Sequence, residues 1–267
     1  MSLSQSKPLS GKVAIVTGSS RGIGAAILLK LASCGADVVV NYVASKAGAE
    51  AVAAKARDEL GVRAVCIQAD VSKRADIARL FAEAKRELGR VDVVMSNSGI
   101  EHFGDLEAVK EEEIDKVLAV NVKAQFFVAQ EAHKCLEEGG RLILISSISA
   151  VWGVPRHALY SASKAAITGM VKCLAFDFGA RNITVNCIAP GGIKSDMYTE
   201  AAADYLPGGD KMTVEEIDER VGMMSPMKRP GFPDDIAGVV ALLALPESQW
   251  LTGQTFHVGG GAHMATA

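Results

Sequence analysis

Seven short runs of β-branched and apolar residues, each separated from the next by a longer stretch with apolar residues at helical spacing, most constrain how this chain can fold. The runs are Val13 to Thr17, Val38 to Tyr42, Ala64 to Gln68, Val91 to Ser96, Arg141 to Ser146, Ile183 to Ile188 and Thr255 to Val258. Helical spacing recurs in Ile23 to Cys34, Lys46 to Leu60, Arg74 to Leu88, Glu112 to Leu136, Ala158 to Phe178 and Asp234 to Leu245. Strands that are apolar on both faces, alternating with helices, predict a parallel sheet covered on both sides. The expected fold is α/β: a single-domain, Rossmann-type, doubly wound parallel sheet of about seven strands. With 267 residues and 49% hydrophobic content the chain can bury one large core. Residues 11–261 form the predicted domain, 1–10 a loose polar arm and 262–267 a C-terminal tail. The one long irregular insertion, at about 191–213, reads as a substrate lid.

Composition excludes several classes of function. A formal charge of -3 offers no basic footprint for nucleic acid or an anionic membrane. The longest apolar stretch, Ile236 to Leu245, is too short to span a bilayer. Five cysteines in apolar segments, with no C-x-x-C, read as buried free thiols of a reducing compartment, so a soluble cytoplasmic protein is expected. No histidine pair has metal-ligand spacing, and no metal site is predicted.

The turn after the first strand reads Thr17-Gly18-Ser19-Ser20-Arg21-Gly22-Ile23-Gly24. It places glycines where backbone must bend tightly and approach a pyrophosphate at a helix N-terminus. The second strand ends in Asn41-Tyr42 without the acid that binds a free adenosine ribose, while Arg21, Ser45 and Lys46 can surround a 2′-phosphate, Lys46 reading equally as a solvated first-turn lysine; NADP(H) is therefore preferred over NAD. Asp70-Val71 and Asn97-Ser98-Gly99 end the third and fourth strands on the ligand-binding edge. Asp70 either accepts from the adenine amine or caps the following helix, and Gly99 either passes close to the cofactor or is an ordinary turn glycine.

Tyr160 and Lys164 lie four apart on one helix face, thirteen residues after Ser147. At about 5 Å and an effective dielectric near 20, an ammonium and a phenolate attract by about 3 kcal/mol, enough to bring a phenol toward neutrality. The Ser147 hydroxyl can polarise a substrate oxygen while Tyr160 exchanges a proton with it.

These features, with Asn121 in the helix after the fourth strand and Pro190-Gly191 after the sixth, resemble the short-chain dehydrogenase/reductase family over about Leu9 to Gly261. The resemblance implies Ser147 orienting a carbonyl, Tyr160 as acid/base, and Lys164 binding the nicotinamide ribose and lowering the Tyr160 pKa. It also implies Asn121 holding a relay water and Pro190, Gly191, Ile193 and Ser195 lining the nicotinamide. Ser195 replaces the commoner Thr. Within the family the chain is most similar to fungal polyhydroxynaphthalene reductases and related reductases of aromatic polyketides. The similar stretches are Ser96-Asn97-Ser98-Gly99, Gln125-Phe126-Phe127-Val128-Ala129, Val154-Pro155-Arg156-His157, Ala189 to Tyr198, and Tyr205-Leu206-Pro207-Gly208-Gly209. That likeness implies an aromatic ketone or phenol as substrate, a pocket including Gly192, Ile193, Met197 and Tyr205, and a homotetramer. Met224 stands where those reductases can carry a pocket Trp, and the chain continues past Met264. Tyr198, Tyr205 and Trp152 read equally as substrate contacts or as lid packing. A 3-oxoacyl thioester reductase and a non-catalytic NADP sensor are the competing functional readings.

Overall fold

A computed structural model describes residues 7–264 and contains one sheet of seven parallel strands in the order β3-β2-β1-β4-β5-β6-β7. The strands are β1 (Val13–Val16), β2 (Asp37–Tyr42), β3 (Ala64–Gln68), β4 (Val93–Ser96), β5 (Arg141–Ile145), β6 (Thr184–Pro190) and β7 (Thr255–Val258). Alternate residues feed two cores. Ala14, Val16, Val38, Val40, Met95, Ile143 and Ile145 face α1 (Gly22–Ser33) and α9 (Pro233–Ala244), through Ile27, Leu28, Leu31, Ile236 and Val240. Val13, Ile15, Val39, Val94, Leu142 and Leu144 face α3 (Arg74–Leu88), α5 (Ala124–Cys135) and α6 (Ala158–Gly179), through Leu80, Phe81, Val128, Val171 and Phe178. Each large side chain so buried contributes roughly 1.5–3 kcal/mol. The remaining helices are α2 (Lys46–Asp58), α4 (Glu111–Leu118), α7 (Asp196–Ala201) and α8 (Val214–Met223).

All strands being parallel, their carboxyl ends share one edge, and the order reverses between β1 and β4, where such sheets bind ligands. The structure corrects four expectations. The helix expected from Glu112 to Leu136 is interrupted at Ala119–Lys123 by a wide π-helical turn that aims Asn121 inward. The insertion at 191–213 is not irregular: α7 and two 3-10 turns, Ala202–Tyr205 and Gly209–Lys211, fill it, and α8 continues the excursion. A Thr213/Glu216 capping box starts α8. The expected arm is docked from Lys7 onward, with Leu9 buried and its N–H donating to Cys34 O; Met1–Ser6 lie outside the described residues. Of the five free cysteines only Cys187 is fully buried, and Cys173 is exposed.

Asn41 also differs from expectation. As a polar residue ending β2 it is expected to meet the cofactor, but its side chain is fully buried. Its Oδ1 accepts from Gly18 N at 3.0 Å, and its Nδ2 donates to Ile67 O and Ala69 O at 3.3 and 3.1 Å. The amide joins the end of β2 to the turn after β1 and to β3, because only a group with both donor and acceptor satisfies these three backbone partners. Asn41→Asp therefore places carboxylate oxygens against two carbonyls. Urea unfolding is expected to show a loss of at least about 2 kcal/mol; a variant of parental stability that merely exchanges cofactor preference would contradict this role.

Candidate active site

The cofactor end is built from turns and strand ends. Gly18 has φ +61, and a Cβ there would lie 2.8 Å from Ser98 Oγ, so the turn requires glycine. The buried Thr17 hydroxyl accepts from the N–H groups of Asn97 and Ser98 at 2.9 and 3.1 Å, and Asn97 Nδ2 returns a bond to Thr17 O at 3.0 Å. Ser19 Oγ donates to Val16 O at 2.7 Å. Thr17 and Ser19, unremarked in the sequence reading, thus lock the turn onto β4 and β2; buried hydroxyls flanking the glycine were the available signal.

Helix α1 begins at Gly22 with no side-chain cap and no acid in its first turn, which leaves its N-terminal dipole open toward the groove beside Ser20, Arg21, Ile23 and Gly24. These features fit a nicotinamide dinucleotide pyrophosphate. Arg21 is exposed and forms an ion pair with Asp196 of α7 at 3.3 Å. Tyr42 is nearly buried, while Ser45 caps α2 by accepting from Gly48 N at 3.3 Å. Asp70 accepts from Ser72 N and Oγ at 3.0 and 2.7 Å, so its carboxylate shapes the turn leading into α3, and Val71 is buried beside it. Burial opposes ionisation of Asp70, but the Ser72 bonds and Lys73 hold its pKa below the usual range.

Ser147 follows β5, and its Oγ accepts from Ser149 N at 3.1 Å and contacts the Tyr160 hydroxyl. Lys164 Nζ lies 5.4 Å from the Tyr160 ring centroid, and both side chains are buried. A Cβ at Gly99 would stand 3.1 Å from that Nζ, so glycine leaves the Lys164 ammonium its room. The surroundings of Tyr160 act against the expected lowering of its pKa. Burial, reinforced by the charge of Glu101, pushes the phenol up, with only the Ser147 bond opposing. Burial likewise pushes Lys164 down to about 8, partly offset by Glu101 and Cys187. Desolvation is the largest influence on both groups.

Asn121 is also differently employed. Its Oδ1 accepts from Ile100 N at 2.9 Å, and its Nδ2 donates to Ile100 O at 2.9 Å and to Ser163 Oγ at 3.0 Å. Its main-chain oxygen accepts from Gln125 Nε2 at 2.9 Å. The side chain is thus a clamp between the β4 edge and α6. Ser163 Oγ in turn donates to Tyr160 O at 2.7 Å, carrying the clamp to the catalytic turn.

On the substrate side, Gly192, Ile193 and Met224 line one cavity of about 220 Å³ together with Ile148, Trp152 and Val221. Met197 and Tyr205 are not among its walls. Pro190 ends β6, Gly191 N donates to Val258 O at 3.0 Å, and Ser195 caps α7 opposite Gly22. Tyr198 donates to Asp218 at 2.8 Å, away from a substrate role. Tyr205 instead packs edge-on against Phe103 and His157 at 4.9 Å, its hydroxyl 3.0 Å from both Glu101 Oε2 and His157 Nε2. Glu101 escaped the sequence reading, although an acid two residues past Gly99 at the ligand edge was a usable signal, and His157 entered it only within the Val154-Pro155-Arg156-His157 stretch. Among the described residues no cluster of three His, Cys, Asp or Glu could hold a metal, and no helix is long and apolar enough to cross a membrane.

A family profile described as enoyl-(acyl carrier protein) reductase matches residues 18–263. The chain belongs to the short-chain dehydrogenase/reductase family. Versicolorin reductase 1 of Aspergillus parasiticus is 48% identical over 261 residues, covering 97% of this chain and 99% of the relative. A hydroxynaphthalene reductase-like protein of Metarhizium brunneum is 48% identical over 261 residues, 96% of each chain. Among solved structures, a short-chain dehydrogenase from Burkholderia cenocepacia in complex with NADP is 36% identical. It superposes with a TM-score of 0.86 over 96% of this chain and 99% of its own. The protein is thus an oxidoreductase of this family.

If Tyr160 and Lys164 take the roles that the resemblance implies, carbonyl reduction needs Lys164 as ammonium and Tyr160 as neutral phenol. With Tyr160 raised and Lys164 near 8, the pH-limiting loss is deprotonation of Lys164. Reductive kcat/KM is expected to fall as pH rises through about 8, and Lys164→Arg, whose charge persists, to remove that limb at a lower plateau. A parental profile in the Arg variant would assign the limb elsewhere.

Proposed function

We propose that this protein is an NADPH-dependent carbonyl reductase acting on the keto tautomer of a polyhydroxylated aromatic polyketide, of hydroxynaphthalene or hydroxyanthraquinone type. The observation that carries the reading is the convergence of Ser147, Tyr160 and Lys164 in a buried pocket at the carboxyl edge of the sheet. The names of the fungal relatives support the substrate class, and the NADP complex of the structural neighbour supports the cofactor.

The reduced nicotinamide supplies the hydride. The chain's own residues position and protonate. Ser147 donates to the carbonyl oxygen, and Tyr160, in contact with Ser147, gives the same oxygen its proton. The Lys164 ammonium favours the phenolate that results. Gly18, Gly22, Gly24 and the α1 N-terminus would hold the pyrophosphate, with Asn97, Ser98, Gly99, Pro190, Gly191, Ile193 and Ser195 along the groove. The 2′-phosphate falls to Arg21 and Lys46, since Asn41 faces inward and the end of β2 carries no acid. The Arg21–Asp196 pair is exposed on both sides and worth at most about 1 kcal/mol, so a phosphate can take Arg21 from it.

A homotetramer and a cytoplasmic location belong to the same proposal. Exposed Phe126, Phe176 and Trp250 support an oligomer, and five free thiols fit a reducing compartment.

The test is steady-state kcat/KM with NADPH for 1-tetralones, hydroxynaphthoquinones and acetoacetyl thioesters. The aromatic series is expected to lead. Tyr160→Phe should lower turnover at least about a hundredfold with NADPH affinity nearly intact, and Arg21→Ala should weaken NADPH about fivefold while sparing NADH. Preference for the thioester would reassign the substrate. Turnover of nothing by the parent, with tight NADPH binding, would favour a sensor.

A further inference from the structure

Beside Tyr160 lies a polar cluster that the transfer of hydride and proton does not use. Glu101 leaves the β4 edge directly after Ile100, whose N–H and C=O are both held by the Asn121 amide, so the origin of the Glu101 side chain is fixed. Its Oε1 accepts from His102 N at 3.2 Å, and its Oε2 from the Tyr205 hydroxyl at 3.0 Å. His157 is fully buried, and burial pushes its pKa down to about 4, so its imidazole is neutral. Its Nδ1 lies 3.0 Å from His102 O, a carbonyl that can only accept, which places the ring proton on Nδ1 and leaves Nε2 an acceptor. That Nε2 is 3.0 Å from the Tyr205 hydroxyl and 3.5 Å from Glu101 Oε1.

The inventory is unbalanced. Two acceptors, the Glu101 carboxylate and His157 Nε2, face the single hydroxyl proton of Tyr205. A carboxylate offers about four lone-pair sites, and here two are taken by protein donors. Burial pushes the Glu101 carboxyl up to about 7, against the Tyr205 and His102 bonds and the Lys164 charge, as expected of an acid short of donors. The rings of Phe103 and His157 stack at 4.2 Å, and His157 lies 4.6 Å from Tyr160, so the cluster is framed by flat aromatic walls leading to the proton donor.

We propose that Glu101 is a specificity-determining residue, the acceptor for a phenolic hydroxyl on the substrate ring remote from the reacting carbonyl, with His157 Nε2 as a second acceptor beside it. This rests on the aromatic-ketone reading and names the group by which such a ring is told from its unhydroxylated analogue. Because the site has acceptors left over, a substrate lacking the hydroxyl leaves Glu101 short of a donor, which discriminates more strongly than lost contact area. Substrate that donates there favours the carboxylate over the acid, so selectivity increases with pH. The titratable or charged groups facing Glu101 are Tyr160, Lys164, His157, Tyr205 and Asp204, with His102 contributing its main chain.

The experiment compares kcat/KM with NADPH for 1-tetralone and its ring-hydroxylated isomers in the parent, Glu101→Gln and Tyr205→Phe. The parent is expected to prefer at least one hydroxylated isomer about tenfold or more. Loss of the charge-assisted bond in Glu101→Gln should erase most of that ratio through KM rather than kcat. Tyr205→Phe, which removes the competing donor, should keep it. Between about pH 6 and 8 the ratio should increase in the parent and stay flat in Glu101→Gln. A ratio retained in Glu101→Gln, or lost in Tyr205→Phe alone, overturns the assignment. If the parent reduces no tetralone, the aromatic-ketone reading fails, and equilibrium binding of 1-naphthol against naphthalene to the NADP⁺ complex decides the Glu101 site separately. Tighter naphthol binding that Glu101→Gln abolishes supports it, and equal affinities overturn it.

Discussion

A parallel sheet sealed by helices on both faces is the constraint from which the rest of this protein follows. It sends every strand end to one edge, and it keeps the interior of that edge dry. The first consequence brings Gly18, Asn97, Ser147 and Pro190, far apart in the chain, to a common groove. The second sets the electrostatics. With Tyr160 and Lys164 both buried, burial raises the pKa of the phenol and lowers that of the ammonium, so the phenol favours its proton and the ammonium is held less firmly than in water. A protonated donor facing the carbonyl site suits reduction.

The polar residues around this centre divide into those that face ligand and those that hold the frame. Asn41, Asn121, Thr17 and Ser19 spend their hydrogen bonds on backbone or on neighbouring side chains, and each joins two strand ends or a strand end and a helix. Such buried, fully partnered groups fix geometry at the cost of adaptability. Glu101 and His157 are the exception, a partly buried acid beside a buried imidazole, with more acceptors than donors between them.

The seven strands and the order of helices were legible because period and length suffice to recognise buried parallel strands. The spacing of Ser147, Tyr160 and Lys164 singled them out, and the fold buries all three at the carboxyl edge of the sheet. What escaped depends on tertiary context. Ala119-Val120-Asn121-Val122-Lys123 has the same apolar spacing whether the turn is α or π, and the bonds of Asn121 to Ile100 and Ser163 coincide with the wider turn. A polar residue ending β2 reads alike whether its amide points to ligand or inward, and the three backbone partners of Asn41 come from segments that only the folded sheet assembles. The Thr213/Glu216 box that starts α8 was a local signal and could have been taken. The Tyr160 ionisation could not, because pair attraction follows from spacing whereas desolvation depends on everything packed around the pair.

That balance is open to direct measurement. A near-ultraviolet pH titration of the ligand-free protein, taken as the difference between parent and Tyr160→Phe, isolates the Tyr160 phenolate. The account predicts no ionisation of Tyr160 below about pH 10, the value of a free phenol. A Tyr160 phenolate forming near neutrality would show that Lys164 outweighs burial, and would contradict it.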